Sequence, residues 1–398
     1  MKKHQLIIVL LLVLAFILFS YSDIESYVNN FFQKRSLLNI HLSTVNPQVD
    51  SVAADSSNRL LIRAEVRDNY DLPVENVKIT FEVTGGPGEV YPKSTRTNAF
   101  GECLAYYIPP DRLENEPENT PENDSGNMGE NNPGDEPENS ADFKGVNIKA
   151  SIEGTSNLST LSLSLAPVPV ILIHGYQETA YIYNNMKEYI DSRGCESYTF
   201  EYSSEDGVIP AAEQLPLFMD SIKKDYLSKG VQVSRFDIVA HSMGGLVARY
   251  YTTSHEYVKR NDARKIIFVS VPHKGSVWAS LGAEYFDDKG VRDMVPDSDL
   301  LVNILPSMVN KGLNNTVQAI NLLGKNDEVV TPESASLSKW GIKTEIFDLG
   351  GEALSVEDLL KSGSIEARNH KAILNNTTVF DRVLELLNTE LDYPQQLR

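Results

Sequence analysis

At 398 residues and 41% hydrophobic side chains, the chain is long enough for two or three domains with sizeable cores. A formal net charge of −19 argues against nucleic acid as a partner. Only two cysteines occur, Cys103 and Cys195, in different predicted domains and without CxxC or metal-ligand spacing. They read as buried free thiols, so neither a structural disulfide nor a cysteine metal site is expected.

Lys2 and Lys3 precede an unbroken apolar run from Leu6 to Phe19. That run is short for a spanning helix, which needs about 20 residues, and it suits the core of an export signal. Ser20-Tyr21-Ser22 offers a small-x-small cleavage site. Residues 1–22 are therefore expected to be a signal peptide or an uncleaved membrane anchor. Either places the rest of the chain outside the cytoplasm, secreted or anchored to the cell membrane. Residues 23–40 read as a stalk.

From Ile40 the pattern turns to period-two alternation. Leu60 to Asp68, Val77 to Val83, Cys103 to Ile108, Val146 to Ile152 and Leu158 to Leu165 read as strands. Asp68-Asn69-Tyr70-Asp71-Leu72-Pro73 and Gly85-Gly86-Pro87-Gly88 read as turns. Short strands at this spacing indicate a β-sandwich over residues 41–166. Val66-Arg67-Asp68, Leu72-Pro73-Val74, Ile79-Thr80-Phe81-Glu82-Val83, Gly86-Pro87-Gly88 and Thr97-Asn98-Ala99-Phe100-Gly101 follow one another there. That order resembles bacterial Ig-like domains of the invasin and intimin type. The resemblance implies a spacer or adhesion module without chemistry of its own.

A low-complexity insertion at 110–143 interrupts the sandwich. Pro-Glu-Asn recurs at 117–119, 121–123 and 137–139. Between Asp111 and Asp142, eleven Asp and Glu face Arg112 alone, a net of −10. Such a segment cannot form a core and reads as an extended, solvated insertion. Calcium binding is the sharper alternative, but no Asp-x-Asp-x-Asp-Gly loop is present.

Residues 167–398 have a different character. Val168 to Ile173 is a continuous apolar run, the mark of a central parallel strand. Helical and strand patterns then alternate: Ala180 to Ser192, Ser197 to Tyr202, Ile209 to Leu227, Phe236 to Ala240, Arg264 to Ser270, Val317 to Gly324 and Thr344 to Leu349. An amphipathic helix over Val379 to Leu391 closes the series. The alternation predicts a doubly wound α/β sheet.

The segment Phe236 to Tyr250 joins a short apolar strand to a helix through Ala240-His241-Ser242-Met243-Gly244. Small residues two before and two after a serine permit the tight strand-to-helix turn that lifts the hydroxyl above the sheet. With this elbow the region resembles α/β-hydrolases of the lipase and esterase type. It is similar to bacterial lipases and to inositol-deacylase-like and lecithin-acyltransferase-like enzymes. The resemblance makes Ser242 the nucleophile, with Ala240 and Gly244 as its small flanks. It puts oxyanion donors at the N–H groups of Tyr176, after His174-Gly175, and of Met243.

The family order is serine, acid, histidine. His4 and His41 lie outside the region. His174 and His241 precede or abut the motifs and read as packing or loop residues, and His255 ends the elbow helix. His273, in Val271-Pro272-His273-Lys274-Gly275-Ser276, has a mostly structural counterpart in the family. His370 alone follows the last strand and is the expected base. Gly324-Lys325-Asn326-Asp327-Glu328-Val329-Val330 resembles the family's acid loop, with Asp327 in place. Asp348 competes from the end of the next strand, and Glu328 is one position off. Trp278 to Thr316, including Gly290 to Leu301, resembles an acyl-pocket segment and suggests a small cap.

The resemblance implies a serine hydrolase that cleaves carboxylic esters, most naturally of acyl lipids, through an acyl-enzyme. No metal or cofactor is implied. The partners expected are the ester or lipid substrate and a cell surface or membrane. The same triad would serve an acyltransferase, and a surface-binding protein with a scaffold hydrolase domain is the other alternative. A chain beginning near Leu165 is expected to fold alone, because it holds the whole α/β pattern.

Overall fold

The computed structural model describes residues 38–113, 144–352 and 368–392. By its contacts the chain divides into two compact units. The first comprises Arg59–Ile108 and Gly145–Ser164 together with the chain up to Asp50. The second takes Leu165–Arg398 and also Ser51–Asn58 and Pro109–Lys144.

In the first unit the alternating sequence does become antiparallel strands. Asn39–Thr44, Leu60–Arg67, Glu102–Ile108 and Glu89–Tyr91 form one sheet in that order. In the other, Lys144–Ile152 and Ser94–Arg96 flank Lys78–Gly85, and Leu158–Ala166 lies beyond Lys144–Ile152. Leu60, Ile62, Ala64 and Val66 are buried, and their neighbours in sequence are half-exposed. Ile79, Phe81, Ile148 and Ala150 supply the buried face of the second sheet. This period of two is what puts alternate side chains into one core.

The second unit is built on six parallel strands. They are β1 (Val170–Ile173), β2 (Ser197–Phe200), β3 (Phe236–His241), β4 (Ala263–Val269), β5 (Gln318–Gly324) and β6 (Thr344–Phe347). Their order across the sheet is β2-β1-β3-β4-β5-β6. Helices α1 (Asn184–Asp191), α2 (Val208–Ser228), α3 (Met243–Thr253) and α4 (Thr377–Leu387) cover the sheet. Successive strand residues go to opposite faces. Ile171, Ile238 and Phe268 join the core under α2 and α3, whereas Leu172, Val239 and Ile267 join the core under α1 and α4. Both faces of the central strands are buried, which is why β1, β3 and β4 carry apolar runs without alternation. The result is a mixed α/β arrangement consistent with an α/β-hydrolase.

The strand order of this sheet places the site. The strand order reverses between β1 and β3, and ligands of doubly wound sheets bind outside the carboxyl ends of strands at such a point. Leading away from that edge, Lys265 of β4 is fully buried, yet its ammonium donates to Leu386 O at 2.8 Å and Leu387 O at 3.2 Å. The cation therefore satisfies the carbonyl end of α4, where the helix dipole is negative. Burial pulls its pKa down to about 8.

The boundary expected at residue 167 misses one piece. Ser51–Ala53 runs parallel to Val231–Gln232. Asp55 pairs with Arg235, and both are buried. Asn58 Nδ2 donates to Gln232 O at 2.7 Å. No periodicity in 51–58 announces this, because its bonding partners lie far along the chain.

The expected anchoring by the N-terminal segment, and the secreted or extracellular location tied to it, do not stand. Among the described residues, no helix is long and apolar enough to cross a membrane. The leader at 1–22, most of the stalk and nearly all of the acidic insertion lie outside the described residues.

Candidate active site

Phe236–His241 is buried at every position and ends against α3, which begins at Met243. Ser242 forms the joint with φ 51° and ψ −125°. A non-glycine residue there is strained, and the fold on both sides holds it. The small flanks have a steric cause. A Cβ on Gly244 would lie 2.4 Å from His174 O and 2.5 Å from Ile173 O. One on Gly175 would lie 2.8 Å from Ser242 Cβ, so the loop after β1 closes directly over the elbow. Ala240, fully buried, fills the last inward position of β3 on the α3 side.

The loop after β5 carries Asp327. Its Oδ1 accepts from the N–H groups of Val329 at 2.9 Å and Val330 at 2.8 Å. These bonds fix the carboxylate, whose Oδ2 lies 2.9 Å and Oδ1 3.1 Å from His370 Nδ1. His370 sits in a short helix, Arg368–Ala372, ahead of α4. Burial alone would raise Asp327, but the charge and hydrogen bond of His370 hold it below the ordinary carboxylate value. Asp348 lies elsewhere, exposed and paired with Lys325 at 2.8 Å. Glu328 is turned to the backbone, accepting from Asn369 N–H at 3.1 Å.

Ser242, Tyr176 and His370 line one cavity of about 220 Å³. Trp278, Leu281, Phe286, Val291, Met294 and Val329 supply its apolar wall. Most of that wall comes from the segment expected to form a cap, which folds as short helices, among them Val277–Gly282 and Lys289–Asp293. Asp288 caps the second, accepting from Val291 N–H at 2.9 Å, and also accepts from the Tyr176 hydroxyl at 2.5 Å. The loop after β1 is thus tied to the cap by a side chain. Met243, fully buried, presents its amide in the first turn of α3, where N–H groups lack helical partners.

The remaining histidines of the unit do other work. His174 stacks on Tyr202 with ring centroids 4.3 Å apart. His273 is buried edge-on against Phe268 and bonded to Arg249 at 3.3 Å. Burial and the Arg249 charge hold it well below the ordinary imidazole value. His241 is different. Its Nδ1 lies 2.9 Å from Glu178 Oε2 and its Nε2 3.2 Å from His370 O. Sequence reasoning assigns His241 to packing and passes over Glu178 altogether. The available signal is an acid three residues beyond Gly175, in a chain segment that must lie against the elbow.

The elbow serine and the aspartate-bonded histidine line one cavity, on a sheet consistent with an α/β-hydrolase. Residues 199–289, which contain β3, the elbow and α3, match the PGAP1-like alpha/beta domain. The chain is similar to the Bacillus licheniformis lipase BlEst2 in propeptide form, at 14% identity over 57% of this chain and 52% of that one, with a TM-score of 0.43. It is also similar to phospholipase PlaB from Legionella pneumophila, at 15% identity over 58% of this chain and 64% of that one, with a TM-score of 0.39. The D00-D0 domain of intimin is matched at 13% identity over 33% of this chain and 48% of that one, with a TM-score of 0.23. The matches span about half the length of the intimin and BlEst2 chains.

Proposed function

We propose that this protein is a serine hydrolase that cleaves carboxylic esters of acyl lipids. The observation that carries the reading is that Ser242 and an Asp327-bonded His370 open into one apolar cavity. Ser242 Oγ attacks the ester carbonyl while its proton passes to His370 Nε2, the ring nitrogen not turned to Asp327. Asp327 keeps the proton on Nδ1 and stabilises the imidazolium that forms. The N–H groups of Tyr176 and Met243 donate to the developing oxyanion. His370 then returns the proton to the leaving alkoxide, and an acyl-enzyme remains. Water, deprotonated by His370, attacks the acyl carbon and restores Ser242. The wall from Trp278 to Met294 suits an acyl chain, since it offers apolar surface with few polar groups. All of this chemistry lies after residue 167, and the sandwich acts as a spacer or adhesion module.

The test is turnover of nitrophenyl esters of rising acyl length by the full chain. Activity is expected, with longer acyl chains favoured over acetate. Ser242→Ala should remove both turnover and labelling by a fluorophosphonate. An inactive full-length protein, or an active Ser242→Ala variant, would refute the reading.

A further inference from the structure

Glu178 is a buried carboxylate at the site that the hydrolysis just described leaves unused. Its side chain is 3% exposed and lines the same cavity as Ser242. One oxygen, Oε2, accepts from Gly175 N–H at 2.7 Å and faces His241 Nδ1 at 2.9 Å. The far nitrogen of that ring faces His370 O at 3.2 Å. The His241 and His370 rings lie 4.6 Å apart by centroid. A single chain of polar contacts therefore runs from the loop after β1, through the last residue of β3, to the backbone of the base.

Three segments of the site come from distant parts of the sequence, and each must be held within a fraction of an ångström for reaction. Gly175 N–H is the amide just before that of Tyr176. Binding it fixes the His174–Gly175 peptide plane, which is separated from the plane carrying the Tyr176 N–H only by the two backbone dihedrals of Gly175. The His241 contact fixes the loop that presents His370. Burying a carboxylate here is unfavourable by itself, and an apolar side chain would fill the space at lower cost. Burial alone would raise Glu178, but His241, His370 and the Gly175 N–H together hold it at about 2.

We infer that Glu178 is a positioning residue that, with His241, aligns the Tyr176 amide and the His370 base around Ser242. The inference rests on the serine-hydrolase reading above. It requires that Glu178 and His241 act as a unit, and that their loss affects the transition state more than substrate binding.

The experiment uses the full chain, a nitrophenyl butyrate substrate and phenylboronic acid, which adds to a serine oxygen as a tetrahedral anion. Glu178→Gln preserves shape and removes the charge. It should lower kcat by about 10- to 100-fold, leave KM within about twofold and weaken the boronate by a factor similar to the kcat loss. His241→Gln should do the same. The double variant should be no worse than either single one by more than about threefold. A folded Glu178→Gln protein with wild-type kcat would overturn the inference, as would losses that multiply in the double variant. Should Glu178→Gln fail to fold, His241→Gln carries the test, and a folded His241→Gln protein with wild-type kcat would overturn the inference. Ser242→Ala, run alongside, separates the two ideas: if it retains turnover, the serine-hydrolase reading fails, whatever Glu178 does.

Discussion

His370 is enclosed by Asp327, Glu178 and Glu328, by the ring of His241, and by Lys371 as its neighbour in sequence. Burial alone would lower its pKa. The charge and hydrogen bond of Asp327, helped by Glu178 and Glu328, overcome this and lift it above 6.5. A base must be neutral to accept a proton. If His370 is the base proposed, the rate should be full at alkaline pH and lost as pH falls through a midpoint above the ordinary imidazole value. In a profile of kcat/KM against pH on a short ester, Asp327→Asn should move that midpoint to lower pH, because the charge that raises His370 is gone. It should also lower kcat by roughly 10⁴, and His370→Ala by more, since orientation is lost in the first and the base itself in the second. An unmoved acid limb in Asp327→Asn, or a larger loss from Asp348→Asn, would count against Asp327 as the partner.

Among the elements, the piece with consequences is Ser51–Asn58. Asp55 and Arg235 are both buried, and Arg235 Nε donates to Asp55 Oδ2 at 2.8 Å. Next to them Arg264 Nε donates to Asp237 Oδ1 at 2.8 Å, and Arg264 Nη1 to Ala54 O at 3.3 Å. A buried pair is weak evidence of net stability, but removing one partner strands the other's charge, at about 3–5 kcal/mol. Asp55→Ala should accordingly lower the melting temperature of the full chain by roughly 6–20 °C, taking about 2–4 °C per kcal/mol at this size. A melt within about 2 °C of the wild type would show that Asp55 does not hold this end of the sheet. The same contacts revise the expectation for a chain beginning near Leu165. It would lack Asp55, Asn58 and the strand beside Val231, and so should melt below the full-length protein.

At the scale of the whole molecule, charge and chemistry are separated along the chain. Residues 114–143 hold ten Asp and Glu and no Lys or Arg, so deleting them takes the net charge from −19 to −9. Every residue assigned to chemistry lies after residue 167. The deletion should therefore raise the isoelectric point, seen by focusing, and leave kcat on a soluble ester within about twofold. A deletion protein that folds but loses turnover would show that the insertion contributes to the site.

Local pattern was enough for much of this protein. Alternation in Leu60–Arg67 and the unbroken apolar runs at Val170–Ile173 and Phe236–His241 made strand type and burial legible, since side-chain direction follows from backbone period alone. The elbow was legible because its small residues answer a steric demand within five positions, and the places of Asp327 and His370 followed from family order. What stayed hidden depends on contacts between residues distant in sequence. Ser51–Ala53 gains a partner about 180 positions away, and Glu178 meets His241 across 63. The short helix bearing His370 has no periodicity to read, and its ring is placed by Asp327 across 43 positions. Composition and spacing select which residues can do chemistry, whereas hydrogen bonds and buried charges are satisfied only when the sheet brings its strand ends together, and that assembly alone set Glu178 against His241.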